Sequence, residues 1–164
     1  MKNKKIQYIT RSALIAALYV ALTHLSNLLG LANGAIQVRF SEALCILPFF
    51  MSSAIPGLFI GCIIANLTTG AVVWDIIFGS LATLIGAYFA SKLKNKWLVP
   101  IPTVVANTIV VPIVILFCYT VKEARTIPTY LMCVSGVFAG EIISAYIFGM
   151  VLLFALDKHK RIFQ

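Results

Sequence analysis

The residues with the most chemistry to offer in this 164-residue chain are its five carboxylates. Asp157 stands beside Lys158, and Glu123 lies between Lys122 and Arg125, so both read as solvated surface charge. Glu42, Asp75 and Glu141 instead start or interrupt long apolar runs. A carboxylate in such a place can accept paired N–H donors or hold a cation. Counted by helical rise, Glu141 falls about 18 Å into its run, near mid-membrane if that run spans a bilayer. An ionisable group there costs at least about 2.5 kcal/mol and marks a function by default; its alternative is a carboxyl hydrogen-bonded to a neighbouring helix. Arg39 and Glu42 stand at i, i+3, where they either pair and cap a helix together with Ser41 or contact a ligand. Trp74, beside Asp75, is either an interfacial anchor or an aromatic plane for a flat, hydrogen-bond-donating ligand. Asn66 is a further candidate, and Thr23 and Asn27 are weaker ones.

Other reactive side chains are sparse. Cys45, Cys62, Cys118 and Cys133 show no CxxC spacing and no adjacent His, and His24 and His159 share no helical face. The cysteines read as polarizable packing residues, and neither a metal nor a cofactor is expected. No GxxxxGK[ST] phosphate loop occurs, so ATP hydrolysis by that route is excluded on this chain, and HExxH and GxSxG are absent too. An enzyme would need Glu42, Asp75 and Glu141 to converge in three dimensions, because no two acidic residues stand at i, i+3 or i, i+4. A stand-alone channel or carrier is a third class.

The elements that hold these residues follow from composition. The chain is 61% hydrophobic and 11% charged, against about 45–50% and about 25% for soluble domains. At about 20 residues per span, this is material for five or six membrane helices and nothing else, so residues 1–164 read as a single membrane domain. Apolar runs lie at 12–31, 43–66, 72–90, 98–121 and 129–156. The first exceeds the 7–15 residues of a signal peptide core and is expected to be a retained helix, although Ala32 and Gly34 offer cleavage-like spacing. The run 43–66 contains Pro48 and the turn signal Ser52-Ser53-Ala54-Ile55-Pro56-Gly57.

Charge decides how that run is used. Ten of the 13 basic residues fall in three clusters: Lys2, Lys4, Lys5 and Arg11; Lys92, Lys94 and Lys96; Lys158, Lys160 and Arg161. If 43–66 crosses and returns, all ten face the cytoplasm and only Arg39, Lys122 and Arg125 lie outside, as the positive-inside rule prefers. A single crossing would split them six to seven. The expected fold is therefore an all-α polytopic bundle of six transmembrane helices in the plasma membrane, with both termini cytoplasmic and the second and third segments short. Short, Pro/Gly-interrupted segments at membrane depth line a cavity or are buried in protein, and they point to binding sites in transporters. The basic clusters flank apolar runs and lack interleaved aromatics, so the expected surroundings are lipid and not nucleic acid.

Small residues at spacing four let helices approach closely. Gly79-Thr83-Ala87 and Gly136-Gly140-Ser144 read as internal packing, whereas Ala13, Ala17 and Ala21 on the first helix read as a face for another membrane protein.

Three blocks carry a family resemblance: Gln37-Val-Arg-Phe-Ser-Glu-Ala-Leu44, Ile55-Pro-Gly-Leu-Phe-Ile-Gly-Cys-Ile-Ile-Ala-Asn66 and Asp75-Ile-Ile-Phe-Gly-Ser-Leu-Ala-Thr-Leu84. Together they resemble the QueT family, substrate-binding S components of energy-coupling factor (ECF) importers. The resemblance implies capture of a queuosine precursor, a deazaguanine such as prequeuosine base or queuine, in an outward-facing pocket. It also implies docking of the Ala-rich first helix on a transmembrane coupling protein that works with two ATPase subunits. A guanine-like edge presents adjacent N–H donors and an aminomethyl tail is cationic, so Glu42, Asp75 and Glu141 with Arg39, Asn66, Trp74, Phe78 and Tyr130 form a compatible set. Thiamine or another cationic heterocycle would be served similarly.

Overall fold

The apolar run at 12–31 supplies the C-terminal part of a longer helix, α1 (Lys2–Leu28), and ends just beyond it. In the computed structural model, which describes residues 2–32 and 36–158, the basic residues 2–11 continue the helix beyond the apolar stretch. Gly34, His159, Lys160 and Arg161 lie outside the described residues. The run 43–66 divides as charge counting requires. A 3₁₀ helix over Phe40–Phe49 contains Pro48, a turn passes through Ser52 and Ser53, and α2 (Ala54–Thr68) returns. Next come α3 (Val73–Ala90), α4 (Lys96–Tyr119) and α5 (Ile127–Asp157). The last two each carry a π-wound stretch, at Ile115–Tyr119 and Ile142–Phe148.

Four of these helices, α1, α3, α4 and α5, are long and apolar enough to cross a membrane. The 3₁₀ helix has 10 residues and α2 has 15, lengths of about 20 Å and about 22 Å. The 3₁₀ helix survives at membrane depth because protein covers it: Ser41, Glu42, Leu44, Cys45, Ile46, Leu47 and Pro48 are all buried. It packs on α1, on α3 and on the second half of α5, from Ile142 to Asp157. Its apolar side joins Ile15, Tyr19, Leu58 and Leu153 in the core, while Leu14, Ile64, Leu81, Ile85, Val105 and Ile109 face outward as a lipid-facing surface.

Helix α2 lies tightly on α1. A Cβ on Gly57 would come within 2.7 Å of the Ser12 carbonyl oxygen, and one on Gly61 within 2.8 Å of Tyr19 Cβ. Gly57 therefore serves packing, not the turn that its pairing with Pro56 suggests; Pro56 sits in the first turn of α2, where its missing N–H costs nothing.

The ends of the bundle sort as expected. Lys96 Nζ meets Asp157 Oδ2 at 2.5 Å, and Tyr8 Oη and Ser12 Oγ donate to the carbonyls of Ser52 and Ser53 at 3.4 and 2.8 Å. Asp157 is thus half of an ion pair and not merely solvated charge. Both described basic clusters lie at this end, with Lys158 beside the pair, and Arg39, Lys122 and Arg125 lie towards the other.

Candidate ligand site at the outer end

Two helix ends build the mouth of a polar cavity. At the end of α1, Leu31 N–H donates to the Ser26 carbonyl and Gly30 N–H to that of Asn27; at the end of α2, Ala71 N–H donates to the Asn66 carbonyl and Gly70 N–H to that of Leu67. These are Schellman closures, and Gly30 and Gly70 take the positive φ they require, 70° and 76°. Each stops its helix abruptly and leaves Asn27 and Asn66 facing a cavity of about 350 Å³ whose walls also include Thr23, Arg39, Asp75 and Tyr119. That volume lies within the roughly 300–1,000 Å³ typical of ligand pockets. His24 Nε2 and Thr68 Oγ1, 2.9 Å apart, join the two helix ends at its rim.

A second cavity of about 210 Å³ shares Ala32, Arg39, Asp75 and Tyr119 with the first. Beyond it lies a hollow of about 20 Å³, bounded by Gln37, Arg39, Glu42, Asn107 and Glu141 among others. Arg39 lines all three spaces.

The position of Arg39 is fixed through its backbone. Its N–H donates to Ser144 Oγ on the π-wound part of α5 at 3.0 Å, and the next N–H, of Phe40, donates to Ser26 Oγ of α1 at 2.8 Å. Gln37 passes so close over α5 that a Cβ on Gly140 would collide with its carbonyl oxygen. Arg39 forms no ion pair with Glu42, and Ser41 does not cap the helix: Ser41 Oγ accepts from Thr23 Oγ1 at 2.9 Å, and the cap position is Arg39 itself, without a side-chain bond. Burial works against the Arg39 charge, and the groups facing it, Asp75 foremost and Glu42 among the others, together more than offset it, leaving its pKa above the ordinary value.

The predicted carboxylates separate into two levels. Asp75, in the first turn of α3, accepts from Tyr119 Oη at 3.3 Å, and that same oxygen takes the Val72 N–H at 3.1 Å. Asn66 Nδ2 lies 3.5 Å from the Asp75 carbonyl. Deeper down, Glu42 accepts from Tyr19 Oη through one oxygen and from Cys45 Sγ through the other. Asn107 Nδ2 reaches Glu141 Oε1 at 2.9 Å and Glu42 Oε2 at 3.4 Å. Arg39, Glu42, Asn66, Asp75 and Glu141 are thereby brought around adjoining spaces.

Trp74 and Phe78 are not. Successive helical residues point about 100° apart, so with Asp75 turned inward, Trp74 and Phe78 one turn on share an outward face. Their rings stack at 5.9 Å and line a separate apolar groove with α4. Tyr130, half-buried near the start of α5, borders none of these spaces. Sequence reasoning passed over Asn107, Gln37, Tyr19 and Tyr119. Asn107 carried a usable signal, being a lone amide in the middle of the apolar run 98–121. The two inner ladders are buried, whereas Ala13, Ala17 and Ala21 are exposed. Among the described residues no group of three or more His, Cys, Asp or Glu is placed to hold a metal.

Comparison with known proteins is consistent with this architecture. A relative, the "Queuosine precursor transporter QueT" of Lactococcus lactis subsp. cremoris (strain MG1363), is 41% identical over 85 residues, 52% of this chain and 50% of the relative. The chain thus aligns with half the length of that curated relative. No solved structure matches. The sequence model of the QueT transporter family covers residues 9–158, which takes in α3, α4, α5, most of α1 and every residue of the outer cavity, and on that coverage this multi-pass plasma-membrane protein belongs to the QueT transporter family.

Proposed function

We propose that the chain is the substrate-binding subunit of an ECF-type importer and that it captures a queuosine precursor, a deazaguanine base, from outside the cell. The observation that carries this reading is the polar cavity of about 350 Å³ at the end of the bundle away from the basic clusters, in a chain of the QueT transporter family. Asp75 can accept from the donor edge of a guanine-like ring, Asn66 and Asn27 can satisfy its mixed donors and acceptors, and the Arg39 guanidinium offers a plane for stacking. The site binds and does no chemistry; the energy comes from partner subunits.

Those partners, a transmembrane coupling protein and two ATPases, would meet the exposed Ala13, Ala17 and Ala21 stripe of α1. Small exposed residues at this spacing allow close helix contact in lipid.

Calorimetry on the purified protein in detergent tests the reading. Aminomethyl-deazaguanine, cyano-deazaguanine and queuine would be titrated without nucleotide. One-to-one binding of at least one base is expected, and absence of heat or thermal stabilisation with all three overturns the substrate assignment.

A further inference from the structure

The inner hollow has a hydrogen-bond donor deficit that the fold does not resolve, and neither of its two carboxyls is held in an ion pair. Glu42 and Glu141 enter it from the 3₁₀ helix and α5, both more than nine-tenths buried. Three of their four oxygens have partners: Tyr19 Oη on one Glu42 oxygen, Cys45 Sγ and Asn107 on the other, and Asn107 again on Glu141 Oε1. Glu141 Oε2 is buried without a partner. Such an atom forfeits its hydration for nothing in return. Arg39 also borders the hollow, but it forms no ion pair with either carboxyl: among the described residues the ion pair found is that of Lys96 with Asp157, at the far end of the bundle.

We infer that the Glu42–Asn107–Glu141 hollow is a subsite for a primary ammonium group on the ligand, and that it selects amine-bearing heterocycles over neutral ones. An –NH₃⁺ brings a donor for Glu141 Oε2, which has none, and a positive charge in direct contact with the carboxyls, a contact that Arg39 does not make. A water would supply donors alone. The hollow's volume of about 20 Å³ holds one group of that size, the lower limit for a water being about 10–15 Å³. It excludes a dimethylated amine or a guanidinium. The remainder of the ligand has a route outward: the hollow shares Gln37, Arg39 and Val111 with the middle cavity, which shares Arg39 and Asp75 with the outer one. A flat ring bound beside Arg39 would thus point its amine inward. This assignment names the substrate class within the import reading above and rests on it for the ring, while the hollow itself can be probed without any ring.

The experiment has two arms. In the first, affinities of aminomethyl-deazaguanine and cyano-deazaguanine are compared in wild type and in Glu141→Gln. A charge-assisted bond of ordinary strength predicts that wild type favours the amine by about ten- to hundredfold, and that Glu141→Gln brings the two within about threefold. Equal affinities in wild type overturn the subsite and leave the import reading standing. The second arm decides if neither base binds. Thermal unfolding is followed in methylammonium chloride and in tetramethylammonium chloride at equal ionic strength. Selective stabilisation of wild type by methylammonium, lost in Glu141→Gln, keeps the ammonium subsite while the deazaguanine reading falls; no selective stabilisation overturns the subsite as well.

Discussion

Asn107 on α4 donates to Glu141 Oε1 on α5 at 2.9 Å and lies 3.4 Å from Glu42 Oε2, so one amide links two buried carboxyls from different segments. Asn107→Ala removes their shared donor and leaves buried acceptors exposed to no water. The expected cost is about 1–3 kcal/mol of stability, read as a lower melting temperature in detergent. Asn107→Asp puts a third carboxyl in the same place and is expected to be worse than alanine. Equal melting temperatures for wild type and Asn107→Ala would show that the link contributes nothing to the fold.

Arg39 is the converse case. Its backbone is anchored by Ser144, but the residue lines three adjoining spaces and forms no ion pair among the described residues. Arg39→Ala should therefore change thermal stability little while weakening ligand binding about tenfold or more, the value of a charge-assisted contact. Arg39→Lys keeps the charge and loses the plane; if stacking is what the residue supplies, lysine will not restore affinity. Calorimetry on the two variants separates charge from stacking.

Much of this arrangement was legible from residue types. The ten clustered basic residues implied a hairpin at 43–66, and the chain does turn at Ser52 and Ser53. A carboxyl in an apolar run is costly enough to require a partner, so Glu42 and Glu141 stood out without coordinates. What stayed illegible was direction and contact. Trp74 and Asp75 are neighbours in sequence and about 100° apart on the helix, and only the packing of α3 decides which one turns inward. Ser41 has the chemistry of a cap, but the 3₁₀ winding places it against Thr23. Gly57 looked like turn chemistry because its tight contact with α1 is invisible until the two helices are assembled.

That helical phase gives a prediction for the aromatics. Trp74 and Phe78 border the apolar groove with α4, away from Arg39 and Asp75. Trp74→Ala should leave ligand affinity within about threefold of wild type, since side chains outside a binding site contribute little to affinity. A tenfold loss, measured by the same titration, would place the ring of the ligand at Trp74 and move the site outward.

The loop carrying Arg39 rests on a glycine. A Cβ on Gly140 would strike the Gln37 carbonyl oxygen, and backbone cannot yield as a side-chain tip can. Gly140→Ala must lift residues 36–39 away from α5, straining the bond from Arg39 N–H to Ser144. The expected result is about 1–3 kcal/mol of destabilisation from overpacking, together with weaker ligand binding. Gly136→Ala, one turn earlier on α5, is the comparison. A loss of binding in Gly140→Ala without any in Gly136→Ala assigns the effect to the loop, whereas equal losses would assign it to general disturbance of α5.

Helix α1 separates two roles across adjacent residues. Ala16 is buried and touches Gly61, where an added Cβ would already come within 3.0 Å of the Ala16 backbone; Ala17 is exposed on the stripe it shares with Ala13 and Ala21. Tryptophan at the two positions should therefore fail differently. Ala16→Trp forces α1 off α2 and is expected to lower the melting temperature and ligand affinity together. Ala17→Trp projects from an exposed face of α1, so stability and ligand binding should persist. If the stripe docks on a coupling protein, uptake by cells carrying Ala17→Trp should be abolished all the same, because a large ring prevents the close approach that small residues permit. Uptake at the wild-type rate would mean that partners engage a different face.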